Sequence, residues 1–166
     1  ARKHLGCLPE RVEIEVSGNI IKNVKSVIVP NTGGLRGIEV AAAAGIVAGD
    51  ADRELKVISE VSAAAVDAIH SFLKAVPISV DFSDSKKIFD IMITVYGGGH
   101  SAYVRICEFH TNVVEIKEDD KYVLQKDVAV EDSLGFTDRE FMNVQEILEF
   151  ADTVKIEDVK ELLDQQ

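Results

Sequence analysis

The first part of the chain alternates apolar and polar residues in the way that a half-buried strand requires. Residues 11–16 read Arg-Val-Glu-Ile-Glu-Val, which places their three apolar side chains on one face of a strand. A Ser-Gly-Asn turn follows. The apolar residues within 23–29 then predict a second strand, which Pro30 ends.

The next segments change to helical spacing. Gly6 closes a short N-terminal helical turn, and the alanine-rich residues 38–48 predict a helix that packs closely on all sides. Residues 51–60 predict a short helix. Ser62 is a good N-cap for a longer helix that must end at Pro77.

A run of short strands follows, joined by glycine-rich or acidic turns. We predict strands at residues 78–82, 88–96, 102–108, 110–117 and 122–125. Because their connections are short, an antiparallel meander is favoured. From Thr137 the spacing is helical again, with a final helix that starts near Lys155.

The order of these elements predicts an α+β fold: an antiparallel or mixed β-sheet with helices packed on one face, plus a C-terminal helical arm. Residues 1–126 are expected to form a substrate-facing domain. Residues 127–166 are expected to form a linker and a helical segment that belongs to an absent catalytic helical domain. Since the sequence opens without Met and stops abruptly after Leu163, we expect a fragment of a longer polypeptide.

Composition and charge narrow the function classes. The 166 residues are 46% hydrophobic and carry a formal net charge of −11, from 29 acidic and 18 basic residues. A nucleic-acid partner or an anionic membrane surface is therefore disfavoured, and no apolar run is long enough for a membrane span. Two cysteines do not make a disulfide framework, so we expect a cytoplasmic protein.

The acidity is concentrated at the C-terminal end, where residues 115–166 contain 16 acidic and 6 basic residues. A solvated helical surface explains this. The alternative is that this acidic segment is a tail that docks on a basic surface of a missing part of the protein.

The strongest local motif is Asn31-Thr32-Gly33-Gly34-Leu35-Arg36-Gly37, between the predicted second strand and the alanine-rich helix. Glycines allow close backbone approach, and a helix N-terminus offers unpaired N–H groups, so a carboxylate or phosphate could bind there with Arg36 as a clamp. The motif is neither a P-loop nor a dinucleotide fingerprint. The simpler alternative is that its glycines only shape a tight turn.

Two further motifs carry histidine. Three glycines precede His100, which could carry a proton or donate a hydrogen bond at the tip of a hairpin. His110, Thr111 and Asn112 interrupt the apolar alternation of a predicted strand, as functional residues do. A solvated hairpin tip and a polar edge strand are the respective structural alternatives.

The cysteines and the remaining histidines suggest no site. Cys7 and Cys107 lack a metal-ligand spacing, and Cys107 is expected to be a small core residue. His4 and His70 lie in helical segments with no visible partner. We therefore predict no metal site in this chain.

Taken in order, the motifs at residues 12–16, 19–23, 29–34, 97–100, 110–112 and 138–144 resemble an uncharacterised bacterial and archaeal family. That family is related to L-cysteine desulfidase and to the alpha chain of iron–sulfur L-serine dehydratase. The resemblance covers residues 1 to about 163. The family's Gly-Cys-Thr-Glu-Pro-type motif and its cluster cysteines are not in this chain, and Cys7 is not equivalent to them.

The resemblance implies part of a [4Fe–4S]-dependent ammonia-lyase that converts L-serine or L-cysteine to pyruvate and ammonia, with sulfide from cysteine. It also implies that the Asn31–Arg36 loop, His100 and the His110–Asn112 cluster contact a small amino-acid substrate. The cluster would belong to the parent protein, and the fragment alone is expected to be inactive. Alternatives are an amino-acid-binding regulatory module and a purely structural scaffold. An exposed sheet edge would permit a homodimer.

Overall fold

The computed structural model describes residues 1–128 and 143–163. The chain forms two compact units, Ala1–Val128 and Ala129–Gln166. In chain order the first unit contains α1 (Arg2–Leu5), β1 (Arg11–Val16), α2 (Gly18–Val24), α3 (Ile38–Val47), a 3-10 helix (Ala51–Lys56), α4 (Ala63–Ala75), β2 (Ile78–Phe82), β3 (Asp90–Gly97), β4 (His100–Cys107), β5 (Val113–Glu118) and β6 (Lys121–Gln125).

Within the described residues, the strands form one six-stranded sheet in the order β2-β1-β3-β4-β5-β6. β1 and β2 are parallel, and every other neighbouring pair is antiparallel. The sheet is therefore mixed, and the predicted α+β class is confirmed. β2 and β6 form its two edges.

The two faces of the sheet differ in chemistry, as the alternation in β1 predicts. Val12, Ile14 and Val16 are at most 1% exposed, and they form the core together with Val95 and residues of α2, α3 and α4. The helices thus cover one face. The residues between them along each strand belong to the opposite face, which we call the open face.

Two elements differ from the sequence prediction. Residues predicted as a second strand, 23–29, instead finish α2 and continue into a loop with one isolated bridge between Ile28 and Arg36. The predicted strand 110–117 begins only at Val113, because residues 108–112 form the turn between β4 and β5.

Most other elements form where their caps and breakers predict. Ser62 caps α4 by accepting a hydrogen bond from the Ala65 N–H at 3.2 Å, and Gly6 ends α1 with a φ of 79°. The 3-10 helix takes the place of the predicted short helix at 51–60.

The second unit contains α5 (Val144–Thr153) and α6 (Ile156–Leu163). Asn143 caps α5 by accepting from the Glu146 N–H at 3.0 Å. The start of the predicted helix near Thr137, and most of the predicted linker, lie outside the described residues. Among the described helices, none combines the length and the apolarity that crossing a lipid bilayer demands.

Candidate functional site

The Asn31–Gly37 loop is a compact turn whose polar side chains bond to the loop's own surroundings. Thr32 is fully buried and donates its hydroxyl proton to the Val29 carbonyl at 2.7 Å. The Asn31 amide donates to the Ile58 carbonyl at 3.0 Å, and the Arg36 guanidinium donates to the Ser26 carbonyl at 2.9 Å. These three side chains therefore hold the loop in place.

The start of α3 carries a negative charge of its own. Glu39 lies in the first turn of α3, and a Cβ placed at Gly37 would meet its carboxylate at 3.2 Å and the Lys25 carbonyl oxygen at 3.3 Å. Gly37 has a φ of 101°, so glycine is required here for both conformation and space. A carboxylate or phosphate at this helix start would meet the Glu39 charge.

The His110–Asn112 segment is a turn held by internal contacts. The Asn112 amide donates to the Cys107 carbonyl at 2.9 Å, and the ring of His110 lies 4.5 Å from that of Phe89. Glu108, just before this segment, has a φ of 68° and pairs with Lys87. The break in the apolar pattern marks a tight connection at the C-terminal end of β4.

The turn at the other end of β4 brings His100 to a carboxylate. Gly97 pairs with His100, which leaves Gly98 and Gly99 as a two-residue turn with φ values of 60° and 79°. His100 Nδ1 lies 2.7 Å from Asp119 Oδ2, and the Ser101 N–H donates to Asp119 Oδ1 at 2.8 Å. The Ser101 N–H and the His100 ring both lower the pKa of Asp119, which therefore stays ionised.

The contact with Asp119 fixes the tautomer of His100. An ionised carboxylate only accepts hydrogen bonds, so Nδ1 carries a proton, and whenever the ring is neutral its Nε2 is the acceptor. His100 is 70% exposed at its side chain, so this acceptor is accessible to a ligand. Such an arrangement can receive a proton or a hydrogen bond.

A polar groove runs from this turn onto the open face. It consists of a cavity of 350 Å³ and one of 220 Å³ that share three lining residues, Tyr96, Ser101 and Asp120. We call it the hairpin groove; its other lining residues are Glu10, Thr94, Gly97, Gly99, His100, Tyr103, Lys117 and Asp119.

The ammonium group of Lys117, which lines the groove, packs against two tyrosine rings. Lys117 Nζ lies 4.9 Å from the ring centroid of Tyr103 and 4.6 Å from that of Tyr122. The Tyr96 hydroxyl donates to Glu13 at 2.7 Å. Burial, and next the Glu115 charge, raise the pKa of the Tyr103 hydroxyl, so this phenol keeps its proton and can act as a donor.

The three motifs singled out in the sequence do not form one site. His100 begins β4 and His110 follows the other end of that strand, and no hydrogen bond found between described side chains joins either of them to the Asn31–Arg36 loop. Only His100 lies in the hairpin groove. The sequence prediction does not include Asp119, Lys117, Tyr96 and Tyr103, because they come together only through the register of β3, β4 and β5.

A larger cleft of 590 Å³ lies on the helix side of the sheet. Its floor is apolar, with Ile93 and Ile106 from the sheet and Ala42, Gly45 and Ile46 from α3. None of the predicted site residues lines it. The hairpin groove is smaller, but the predicted site residue His100 lines it, so volume alone does not decide between the two cavities.

The cysteines do not fit the iron–sulfur cluster that the family resemblance implies. Cys7 is exposed and contacts the start of the β3–β4 turn, whereas Cys107 is buried at the far end of β4. Burial raises the pKa of the Cys107 thiol. A cubane cluster needs three thiolates close together, and no metal-binding group of His, Cys, Asp and Glu is found among the described residues.

Comparison with known proteins finds relatives along the whole chain. A UPF0597 protein of Desulfitobacterium hafniense is 48% identical over 166 residues, which is 100% of this chain and 39% of the relative. Those of Treponema denticola and Finegoldia magna are 39% and 36% identical, over 99% and 100% of this chain. No family model matches the chain, and no solved structure matches it.

The relatives' names state a family and no reaction. The chain spans about two fifths of the length of the curated relatives it matches, since it covers 39%, 38% and 40% of the three. Over that stretch, the chain is similar throughout to proteins of the UPF0597 family.

Proposed function

We propose that this chain is the amino-acid-binding portion of a [4Fe–4S]-dependent ammonia-lyase of the L-serine dehydratase or L-cysteine desulfidase type. The products would be pyruvate and ammonia, with sulfide from cysteine, in a reducing cytoplasm. The observation that supports the proposal best is the hairpin groove, which His100 lines while its Nδ1 is held by Asp119 and its side chain stays exposed.

The chemistry of the groove suits a small polar ligand. His100 Nε2 can accept a hydrogen bond or a proton from the ligand, and the Asp119 carboxylate stabilises the imidazolium that results. Ser101 and Tyr103 add hydroxyl groups to the walls. We assign these residues to binding and orienting the amino acid, and no chemical step through the cluster to this chain.

In this proposal the cluster ligands lie elsewhere in the full-length polypeptide. The chain's two thiols do not fit a cluster, and the relatives extend well beyond the matched stretch. This division agrees with the family resemblance, in which the cluster cysteines lie outside these residues.

The test is an assay of the full-length polypeptide that contains this chain, purified without oxygen. We expect pyruvate and ammonia to be released from L-serine or L-cysteine. His100→Gln should lower kcat/KM by about tenfold or more, because the substrate loses an orienting hydrogen bond to the imidazole ring. His70→Gln is the matched control, because His70 is exposed on α4 and does not line the groove.

Two results would contradict the proposal. A full-length protein that retains its cluster but releases no pyruvate from either amino acid is not this lyase. If that protein still binds L-serine or L-cysteine, the amino-acid-binding regulatory module is the better description. If His100→Gln and His70→Gln behave alike, the groove does not contribute to turnover.

A further inference from the structure

Lys117 places an ammonium group on the open face without an ion pair to explain its position. It lies on β5 directly opposite Tyr103 of β4, and the rings of Tyr103 and Tyr122 flank it. Among the described residues, the ion pairs join other side chains and none includes Lys117. Two aromatic rings therefore hold this cation in a fixed place where it can receive an anion.

Hydrogen-bond donors surround the same cavity. Lys117 shares it with the hydroxyl groups of Thr94, Ser101 and Tyr103. Because burial raises the pKa of Tyr103, its phenol is a donor at neutral pH. The Lys117 ammonium packs on the Tyr103 ring, and both residues line the same small cavity, which makes a suitable site for a carboxylate.

The outer part of the groove has the opposite charge. Glu10, Asp119 and Asp120 line it, and His100 and the Ser101 N–H already engage Asp119. Glu10 and Asp120 therefore remain to face a cation, and Asp120 borders both cavities. These carboxylates would repel a dianion such as phosphate. A simple amine has no anionic group that could pair with Lys117.

This charge arrangement matches a zwitterion. Building on the proposed function, in which the ligand is an amino acid, we propose that the hairpin groove binds an α-amino acid with its carboxylate on Lys117 and Tyr103 and its ammonium toward Asp120. His100 then lies at the end of the groove away from Lys117. Lys117 is thus a specificity-determining residue that selects an α-carboxylate.

The experiment measures binding by calorimetry to the full-length polypeptide, with three probes of similar size. L-Serine carries both charges, L-lactate lacks the ammonium group and ethanolamine lacks the carboxylate. The variants are Lys117→Met, Lys117→Gln, Lys117→Arg and Asp120→Asn. Lys74→Met, at an exposed position on α4, is the matched control. Thermal unfolding of each variant checks that it is folded.

We expect the unaltered protein to bind L-serine at least about tenfold more tightly than either single-charge probe, since one charge-assisted contact is worth about that much. Lys117→Met and Lys117→Gln should weaken L-serine and L-lactate by about tenfold or more and leave ethanolamine unchanged. Asp120→Asn should weaken L-serine and spare L-lactate. Lys117→Arg should keep most of the affinity, and Lys74→Met all of it.

The inference is overturned if folded Lys117→Met and Lys117→Gln bind L-serine as the unaltered protein does, or if the unaltered protein binds none of the three probes. Pyruvate release by the same samples separates the two proposals. If L-serine binding depends on Lys117 but no pyruvate is released, the binding site is supported and the lyase proposal is contradicted. If pyruvate release does not change when Lys117 is replaced, the lyase proposal is supported and the binding site is contradicted.

Discussion

Asp90 is a fully buried carboxylate, and hydrogen bonds from Arg105 compensate for the solvation that it loses. Arg105 donates from Nε and Nη2 to its two oxygens at 2.9 and 2.8 Å, and from Nη1 to Glu115 at 3.2 Å. Burial opposes ionisation of Asp90, but the hydrogen bonds and charge of Arg105, together with hydrogen bonds from Ser85 and Cys107, lower the pKa of Asp90 overall. One guanidinium thus ties β3, β4 and β5 together on the open face.

Replacement of Arg105 tests this role. Arg105→Met leaves a buried charge without its partner, so we expect the free energy of unfolding to fall by about 3 kcal/mol. The measurement is urea unfolding followed by circular dichroism.

The control is the double variant Asp90→Asn with Arg105→Met, which buries no charge at this position and should lose less stability than the single variant. If the two differ by under about 0.5 kcal/mol, the pair is not coupled in the way its geometry indicates.

At the scale of elements, the β3–β4 turn shows how glycine placement shapes the groove. Gly98 and Gly99 both adopt positive φ, which makes a tight two-residue connection and presents His100 at the start of β4. Gly97 is needed for a different reason. A Cβ there would lie 3.1 Å from the Leu8 carbonyl oxygen and 3.3 Å from Cys7 Sγ, so the backbone before β1 packs directly on it.

The turn can be tested by two substitutions at Gly98. Gly98→Ala forces an L-residue to a φ of 60° and should cost about 1 kcal/mol in the free energy of unfolding. Asn tolerates this conformation, so Gly98→Asn should cost much less. The nearest atom to a Cβ at Gly98 is Cys7 Sγ at 3.9 Å, which is an ordinary contact. Steric crowding therefore does not add to the expected loss in the free energy of unfolding. Equal losses in urea unfolding would contradict the argument.

The sequence allows most elements to be predicted where local chemistry decides them. The β1 alternation, the Ser62 cap and the β3–β4 turn are local signals, and each forms where it is expected. The sequence prediction misses α2, since it has a turn at residues 17–19 and a strand at 23–29, and the few apolar residues of this region also fit a strand. Its Ile20 side chain packs into the core from a helix that follows β1 after Ser17. Tertiary packing decided between the two.

The candidate site was only partly predictable, for a physical reason. His100 could be singled out from its glycines, but its partner Asp119 is 19 residues away and reaches it through the pairing of β4 with β5. Lys117 and Tyr103 meet through the same register. Periodicity indicates which residues share a face of one strand, whereas it does not say which residues of neighbouring strands lie opposite each other.

At the scale of the whole molecule, the sheet separates apolar packing on one face from polar and charged groups on the other. The helix side contains the apolar core, whereas the open face carries the Asp90–Arg105–Glu115 network and the hairpin groove. The two cysteines follow this geometry rather than a shared site. Cys7 contacts the β3–β4 turn, and Cys107 pairs with Asp90 at the opposite end of the same hairpin.

This separation predicts what the 166 residues do by themselves. Reconstituted with iron and sulfide in the absence of oxygen, the isolated chain should stay colourless and release no pyruvate from L-serine or L-cysteine, because two thiols at opposite ends of a hairpin cannot ligate one cluster. Iron and sulfide analysis and a pyruvate assay are the measurements, with the full-length polypeptide as the positive control.

The double variant Cys7→Ser with Cys107→Ser distinguishes iron bound by these two thiols from iron bound nonspecifically. Iron that stays bound after desalting in both proteins is adventitious and leaves the prediction standing. Stoichiometric iron and sulfide that the unaltered chain holds and the double variant loses would show that these thiols do take part in a cluster. In that case the division of labour proposed for this chain, with amino-acid binding here and cluster ligation elsewhere, would be wrong.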